Sequence, residues 1–528
     1  VVEGNFSLYL RRFFSGTLLS RFSGLARDLA MAFCFGDHPS VAAFMVAFRL
    51  SNLLRRLLGE GPFQSAFIPY FEELRAKNEE EAFMFFRKLT GFILMLLLIA
   101  TVIAEIVIIG VLYGFNVSAD NREILVLTAW MFPGIIFICL YGLNLSLLNC
   151  YDSFFIPSFA PAICNTVWIV VVLFLKHQNP SMAMLTLAKW VTFGLFCQWL
   201  FTMPATLKHI SSYFKEWMRW ALSKDIVGIA KGFSMGIIGV SAMQINGFVD
   251  TIFARYADIR GPTYLWYSIR LEQLVLAIFG IACVSIVVPR LSRAIKMKNF
   301  TYAQELFAFS YKRVMAIMIP STMAIVALGF SVVDLFYGRG HFSFDAVFKT
   351  TMCLWAYGLG LVPTTLVILF SAIFYANNNF KLPTIISVFT MLINILLNAL
   401  FVMGLNFGTV STALATSISA WINCFVLYQA VLKEGVFRAN FPMMETLKLV
   451  FVSVFAFTTI FLGYYLLFND FFFTLTTFVG KAMVFSLQFL LFVGELFCLS
   501  LLMKIDGFLE VFYSFLPIKK RSYDAESK

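Results

Sequence analysis

Apolar runs of about twenty residues recur from one end of this chain to the other, and they constrain its fold more than any other feature. A run of that length crosses the ~30 Å hydrocarbon layer as a helix, because each backbone N–H and C=O must find its partner within the segment. The runs do not alternate with period two, which disfavours a β-barrel. Composition agrees: of 528 residues, 60% are hydrophobic and 13% charged, where a soluble domain carries about 25% charge. The expected fold is an all-α polytopic membrane protein. Fourteen spans are counted between residues 15 and 503. The first covers 15–35, the second 40–60, the fourth 124–149, the sixth 183–207, the seventh 226–256, the eighth 263–288 and the eleventh 383–403.

The formal net charge is +11. On a soluble chain that would suggest nucleic acid; here the cations collect in connectors after even-numbered spans. Examples are Arg75, Lys77, Arg87 and Lys88, then Lys208, Lys215, Arg219 and Lys224, then Arg290, Arg293, Lys296 and Lys298. The positive-inside rule then puts both termini in the cytoplasm, and no nucleic-acid partner is expected. The nine cysteines show no CxxC spacing and read as packing residues, and the four histidines are scattered, so no metal site is expected. No cleavable leader is expected. GxxxxGK[ST], HExxH and GxSxG are all absent.

The chain repeats itself. FRLSNL (48–53) resembles IRLEQL (269–274), with Arg49 answered by Arg270 and Asn52 by Gln273; CYDSFFIP (150–157) echoes ANNNFKLP (376–383). The offsets of 221 to 226 residues imply two six-helix lobes related by a pseudo-two-fold along the membrane normal, plus two C-terminal helices. The expected boundaries are 1–212 and 213–435 for the lobes, 436–505 for helices 13 and 14, and 506–528 for a cytoplasmic tail. Repeats of this kind mark transporters with a substrate site near the midplane.

Arginines stand where lipid should be. Arg21, Arg27 and Asp28 fall in the first span, Arg49, Asn52, Arg55 and Arg56 in the second, and Arg270 in the eighth. Ionisable groups at that depth are costly and usually face a cavity. Arg49, Asn52 and Arg56 are spaced i, i+3, i+7 and share one helix face, with Glu60 near the same line and Arg55 about a third of a turn away. Arg21 and Asp28 share a face. Arg27 points elsewhere on a straight helix, unless Gly24 breaks it and turns Arg27 inward. A guanidinium stays charged and offers a planar fork of donors that fits phosphate, so converging arginines suit a diphosphate. The competing reading for Arg55 and Arg56 is snorkelling to the interface. Asp28 reads equally as a gate partner or as a neutralising neighbour. A second polar set, Asp250 with Asn394 and Asn398, reads as a monovalent-cation site or as polar glue between helices.

At this point a family becomes recognisable. SRFSGLARD (20–28), FG (35–36) and AFRLSNLLRRLLGEGPFQSAFIP (47–69) resemble the signature of the MurJ (MviN) family of lipid II flippases, in the MOP exporter superfamily. The resemblance implies a transporter, not an enzyme, of the bacterial cell inner membrane. It would move the undecaprenyl-diphosphate-linked peptidoglycan precursor, lipid II, from the cytoplasmic to the periplasmic leaflet by alternating access, in cell-wall biogenesis. It implies essential roles for Arg21, Arg27, Arg55 and Arg270, with Asp28 beside Arg27, and matches Arg49 and Glu60. It implies a lipid-tail groove in helices 13 and 14. Expected partners are lipid II, membrane lipids and the cell-wall synthesis machinery. No resident cofactor is expected; a monovalent cation or the membrane potential would drive the cycle. Relatives commonly have Asp where this chain has Ala42, Pro where it has Ser51, and EGAF where it has EGPF (60–63), so one gating acid is missing. Two alternatives remain open. One is a drug or cation antiporter of the same superfamily, which would want acids rather than arginines. The other is a membrane glycosyltransferase, which would need a carboxylate such as Asp120, Glu123 or Asp345.

Overall fold

The computed structural model describes residues 2–58, 62–210, 244–377, 379–433, 443–463 and 477–515; within them, the side chains of 2–14, 54–58, 62–66, 279, 281–288 and 514–515 fall outside the description. Among the described residues every regular element is a helix. Two compact units emerge. The first comprises Val1–Trp266, Arg339–Ala346 and Val402–Thr409; the second comprises Tyr267–Gly338, Val347–Phe401 and Val410–Lys528. The expected lobe boundary at 212/213 lies in 211–243, outside the described residues.

The first unit holds α1 (Val2–Phe35), α2 (Pro39–Leu58), α3 (Pro62–Lys77), α4 (Glu79–Gly114), α5 (Ala119–Met131), α6 (Gly134–Cys150), α7 (Phe155–Leu175) and α8 (Pro180–Ile210). Residues 244–257 form α9, and α10 (Gly261–Val275) begins here. α4 starts on a side-chain cap, Asn78 accepting from the Glu80 N–H at 3.0 Å. Glu79, Glu80 and Glu81 follow in its first turn, where negative charge meets the positive end of the helix dipole. α5 and α6 are one span broken at Pro133 and bent by 43°. Pro133 lacks the N–H that would meet the Ala129 carbonyl, and the ladder stops there. The Trp130 carbonyl at the break accepts from Thr192 Oγ1 at 2.7 Å.

The second unit continues α10 through a π-helical turn, Leu276–Ile281, into α11 (Ala282–Lys296). Then come α12 (Phe300–Phe336), α13 (Phe344–Gly358), α14 (Leu361–Ala376) and α15 (Lys381–Asn398), a second π turn (Ala399–Gly404), and α16 (Val410–Lys433), α17 (Met443–Gly463), α18 (Phe478–Leu502) and α19 (Asp506–Phe515). Its core interleaves Leu291, Phe307, Met318, Leu369, Phe374, Leu427, Val452 and Phe492. Against lipid, apolar packing gives helices little net drive to associate, so polar links carry much of the specificity. α18 is tied to α12 by Lys481 Nζ to Asp334 Oδ1 at 2.7 Å and by Ser331 Oγ donating to Gln488 Oε1 at 2.6 Å.

Nine helical segments among the described residues are long and apolar enough to cross a membrane, and the bent α5–α6 pair makes a tenth. The other four of the fourteen expected spans are not anonymous. One is α1, one is α2, one is the seventh span, much of which lies outside the described residues, and one is α10 with its continuation. α1 carries three charged residues within 15–35 and α2 three within Pro39–Leu58, whereas α10 is interrupted by the π turn after 15 residues.

Candidate functional site

α1 runs without a break through Gly24. A Cβ there would sit 3.6 Å from Asn165 Nδ2, an ordinary contact, so Gly24 is not a hinge but a point of approach to α7. Arg27 is nonetheless buried, at 8% exposure, and Asp28 at 3%. The arginine reaches sideways along its own helix: Nε and Nη2 donate to Asp28 Oδ1 at 3.1 and 2.9 Å. Its third arm, Nη1, donates to Asn165 Oδ1 at 3.1 Å. Asn165 in turn donates to Ser23 Oγ at 3.0 Å, which fixes the amide's orientation. The guanidinium carbon lies 4.6 Å from the centre of the Trp168 ring, a cation–π contact that gains strength away from water.

Aromatic rings close this cluster. Trp168 meets Phe44 and Phe48 edge-on at 5.3 and 5.2 Å, and Phe48 meets Trp266 at 5.7 Å. Trp266 Nε1 donates to Asp28 Oδ1 at 3.4 Å. Helices α1, α2, α7 and α10 thus converge on one charged pair. Arg21, which the helical wheel groups with Asp28, is exposed instead.

The wall expected on α2 is only partly visible. Arg49 donates through Nη1 to the Gly247 carbonyl and to Thr251 Oγ1, the latter at 2.8 Å, so it joins α2 to α9. Asn52 donates to the Phe48 carbonyl of its own helix at 2.7 Å. Arg55 and Arg56 sit in the last turns of α2 with their side chains outside the described residues, and Glu60 lies outside them altogether.

The α1–α2 turn builds a second polar centre. Asp37, 5% exposed, accepts on Oδ2 from Arg260 Nη1 at 3.0 Å, Ser343 Oγ at 3.2 Å and Tyr264 OH at 3.4 Å. Burial pulls the Arg260 guanidinium's pKa down, and the charge and hydrogen bond of Asp37 more than reverse it, leaving it raised. Beside this, Arg255 donates to the Pro39 carbonyl at 3.3 Å. Gly36 (φ 58°) and Gly340 (φ 66°) adopt the left-handed conformation. A Cβ on Gly36 would collide with the His341 carbonyl and one on Gly340 with the Phe33 carbonyl. Asp258 follows Asp37 by 221 residues, the offset that relates FRLSNL to IRLEQL. The two turns are clasped together within the first unit by the Arg260–Asp37 bond.

In the second unit Arg270 is half-buried on α10, six residues before the π turn, and Glu272 near it is 8% exposed. Asn394 and Asn398 are fully buried on α15; Asn398 Nδ2 donates to Asn394 Oδ1 at 2.8 Å, and Asn394 Nδ2 to Thr416 Oγ1 at 3.4 Å. The second π turn follows at once, and such turns recur at functional sites. Asp250 is 3% exposed on α9, in the first unit. Among the described residues no group of three or more His, Cys, Asp and Glu could hold a metal.

Sequence reasoning did not find Asn165, Trp168 or Trp266, nor the Asp37–Arg260–Ser343 centre. Asn165 offered a signal, a lone amide in an apolar run. The others did not: tryptophans are common in spans, and Asp37, Arg260 and Ser343 lie in three separate connectors.

Comparisons with known proteins agree with one another. The family model described as "Lipid II flippase MurJ" matches residues 31–486. A protein named "Probable lipid II flippase MurJ" from Chlamydia muridarum is 32% identical over 461 residues, covering 86% of this chain and 84% of that protein. One of the same name from Aquifex aeolicus is 27% identical over 493 residues, covering 91% and 93%. The solved structure "Lipid II flippase MurJ, inward closed conformation" superposes with a TM-score of 0.76 at 25% identity, over 94% of this chain and 99% of that one. An inward-facing multidrug resistance MATE family transporter of the MOP superfamily gives 0.64 at 15% identity, over 79% and 94%. That second likeness is one of fold alone.

Proposed function

This chain belongs to the MurJ family of lipid II flippases, and on that premise we propose how its own residues move the substrate. It is a multi-pass membrane transporter of lipid II, a substrate whose transfer serves peptidoglycan biosynthesis. The observation that carries the mechanism is the buried Arg27–Asp28 pair, held by Asn165, Trp168 and Trp266.

A guanidinium whose donors point at one carboxylate oxygen and one amide can exchange the carboxylate for a diphosphate oxygen without leaving its cage. Phosphate and carboxylate present the same acceptor geometry to the fork. When the headgroup takes Arg27, Asp28 is released toward Trp266 on α10, so binding changes a contact between α1 and α10. A ligand shifts a conformational equilibrium only through such a differential interaction. Arg21, Arg49, Asn52, Arg55, Arg56 and Arg270 complete the headgroup site in this reading, with Gly24 and Glu60 shaping its helix and turn. The Asp37 clasp keeps the opposite, extracytoplasmic end shut until the headgroup is bound, and supplies an acid near the turn where Ala42 has none.

The remaining assignments follow the same reading. The protein sits in the bacterial inner membrane with both termini cytoplasmic. Residues 1–212 and 213–435 are the two lobes, 436–505 provides the tail groove, and 506–528 forms the cytoplasmic tail. Cell-wall synthesis enzymes supply the substrate on one side and consume it on the other. Asp250, Asn394 and Asn398 would hold a monovalent cation; alternatively the membrane potential drives the anion outward, at about 2.3 kcal/mol per charge per 100 mV.

The test is leaflet accessibility of lipid II in cells depleted of their flippase and supplied with this gene. Restored extracytoplasmic exposure is expected with the natural sequence and none with Arg27→Ala, at equal membrane levels. Full exposure with Arg27→Ala would remove Arg27 from the mechanism. No exposure with the natural sequence would overturn the transport reading itself.

A further inference from the structure

The outer flank formed by α5, α6 and α8 carries a charge that the flippase mechanism does not use. Lys189 is exposed on α8, nine residues from the helix start at Pro180. At 1.5 Å per residue it lies roughly 13 Å along the helix, inside the expected sixth span. Its ammonium sits 4.4 Å from the centre of the Trp130 ring. No carboxylate pairs with it among the described residues. Nor does it serve the broken α5–α6 span, because the Trp130 carbonyl at the break already accepts from Thr192. An ammonium in this setting needs an anion, and a lone cation–π contact does not replace one.

The surroundings are those of a lipid site. Trp130 and Trp190 are 48% and 44% exposed on this flank. Below Lys189 a ribbon of rings runs down α8: Trp190 to Phe193 at 5.3 Å, Phe193 to Phe196 at 6.1 Å, Phe196 to Trp199 at 5.9 Å. Phe137 of α6 meets Phe196 at 5.2 Å and backs the ribbon. A cation over one indole, at one end of an apolar aromatic track that starts at Trp190, matches a phosphate group with an acyl chain below it.

We propose that this flank binds an anionic phospholipid of the extracytoplasmic leaflet, its phosphate on Lys189 beside Trp130 and one acyl chain along Phe193 to Trp199. The leaflet is the one that the charge bias of the connectors assigns to that end of α8. The anionic class is favoured because a zwitterionic headgroup brings its own ammonium, which competes with Lys189 for the phosphate. The site is separate from the arginine cluster and does not rest on the transport reading.

The test is native mass spectrometry of the full-length protein released from nanodiscs of phosphatidylcholine with one-tenth phosphatidylglycerol or, separately, undecaprenyl phosphate. The natural protein should retain phosphatidylglycerol over phosphatidylcholine. Lys189→Met should lower that retention by about fivefold, the weight of one basic side chain at a membrane surface, and Lys189→Arg should keep it. Melting in pure phosphatidylcholine checks that each variant is folded; if Lys189→Met is not, Trp130→Leu replaces it and should show a smaller loss in the same direction. Equal retention by the natural protein and the folded variant would overturn the site. Loss confined to undecaprenyl phosphate would overturn it in favour of a carrier-lipid site.

Discussion

Two buried ion pairs, one in each unit, are built on opposite plans. Lys481 and Asp334 come from α18 and α12, 147 residues apart in the chain, and each side chain is 12% exposed. Lys481 also donates to the Gly338 carbonyl at 2.9 Å. Arg27 and Asp28 are neighbours on one helix, 9% and 4% exposed. The first pair joins two helices directly. The second joins nothing by itself; it is the amide and the tryptophans around it that tie α1 to α7 and α10. A charge pair across helices is a staple, whereas a pair within one helix, held by neutral donors and rings, keeps a cation available at membrane depth. The difference lies in which partner can be replaced without moving a helix.

Breaking the staple should have the largest effect on stability. Lys481→Met removes the Lys481 ammonium from the buried Asp334 carboxylate and should cost about 3–5 kcal/mol, read as a lower melting temperature in detergent. The double variant Lys481→Met with Asp334→Leu should recover most of it. A single variant that melts like the natural protein would mean that α18 is held by packing alone.

Breaking the exchangeable pair should act on function instead. Arg27→Ala removes charge-assisted bonds worth about 1.5–3 kcal/mol each, roughly ten- to a hundredfold in headgroup affinity. Complementation of a flippase-depleted strain should fail while insertion persists. Arg27→Lys should restore it only in part, since an ammonium cannot make the bidentate contact.

The Asp37 clasp gives a third, smaller test. Asp37→Asn weakens three hydrogen bonds from separate segments without adding bulk. Buried Cys34, three residues away, should then react about tenfold faster with a membrane-impermeant maleimide added from outside, a change of about 1.4 kcal/mol in opening by the reactivity ratio. Labelling that is unchanged would remove the clasp from gating. Asn165→Ala should be the mildest, costing about 1 kcal/mol and slowing transport without abolishing it. An effect as large as that of Arg27→Ala would mean that the amide, not the carboxylate, positions the guanidinium.

Much of the architecture was legible because membranes impose it. Helices follow from the apolar runs, and the polar character of α1 and α2 from their arginines. Asn394 and Asn398 were expected on one face and do hydrogen-bond each other, since spacing along a single helix fixes which side chains meet. The same rule misled for Arg27. A wheel places adjacent residues about 100° apart, yet a guanidinium on three methylenes reaches back to the carboxylate beside it once α7 and α10 bury both. Asp334 and Lys481 were not singled out because their significance exists only when α12 and α18 pack.

The sequence by itself determined the helices, the depth of the charges and the family, because those depend on composition, spacing and local motifs. Tertiary structure alone decided that Arg27 is caged while Arg21 is exposed, and that Asp37 gathers Arg260, Tyr264 and Ser343. It alone showed that Lys189 is left facing outward over Trp130. In each case the outcome rests on which distant side chain arrives within about 3–4 Å, and no periodicity in one segment encodes the position of another.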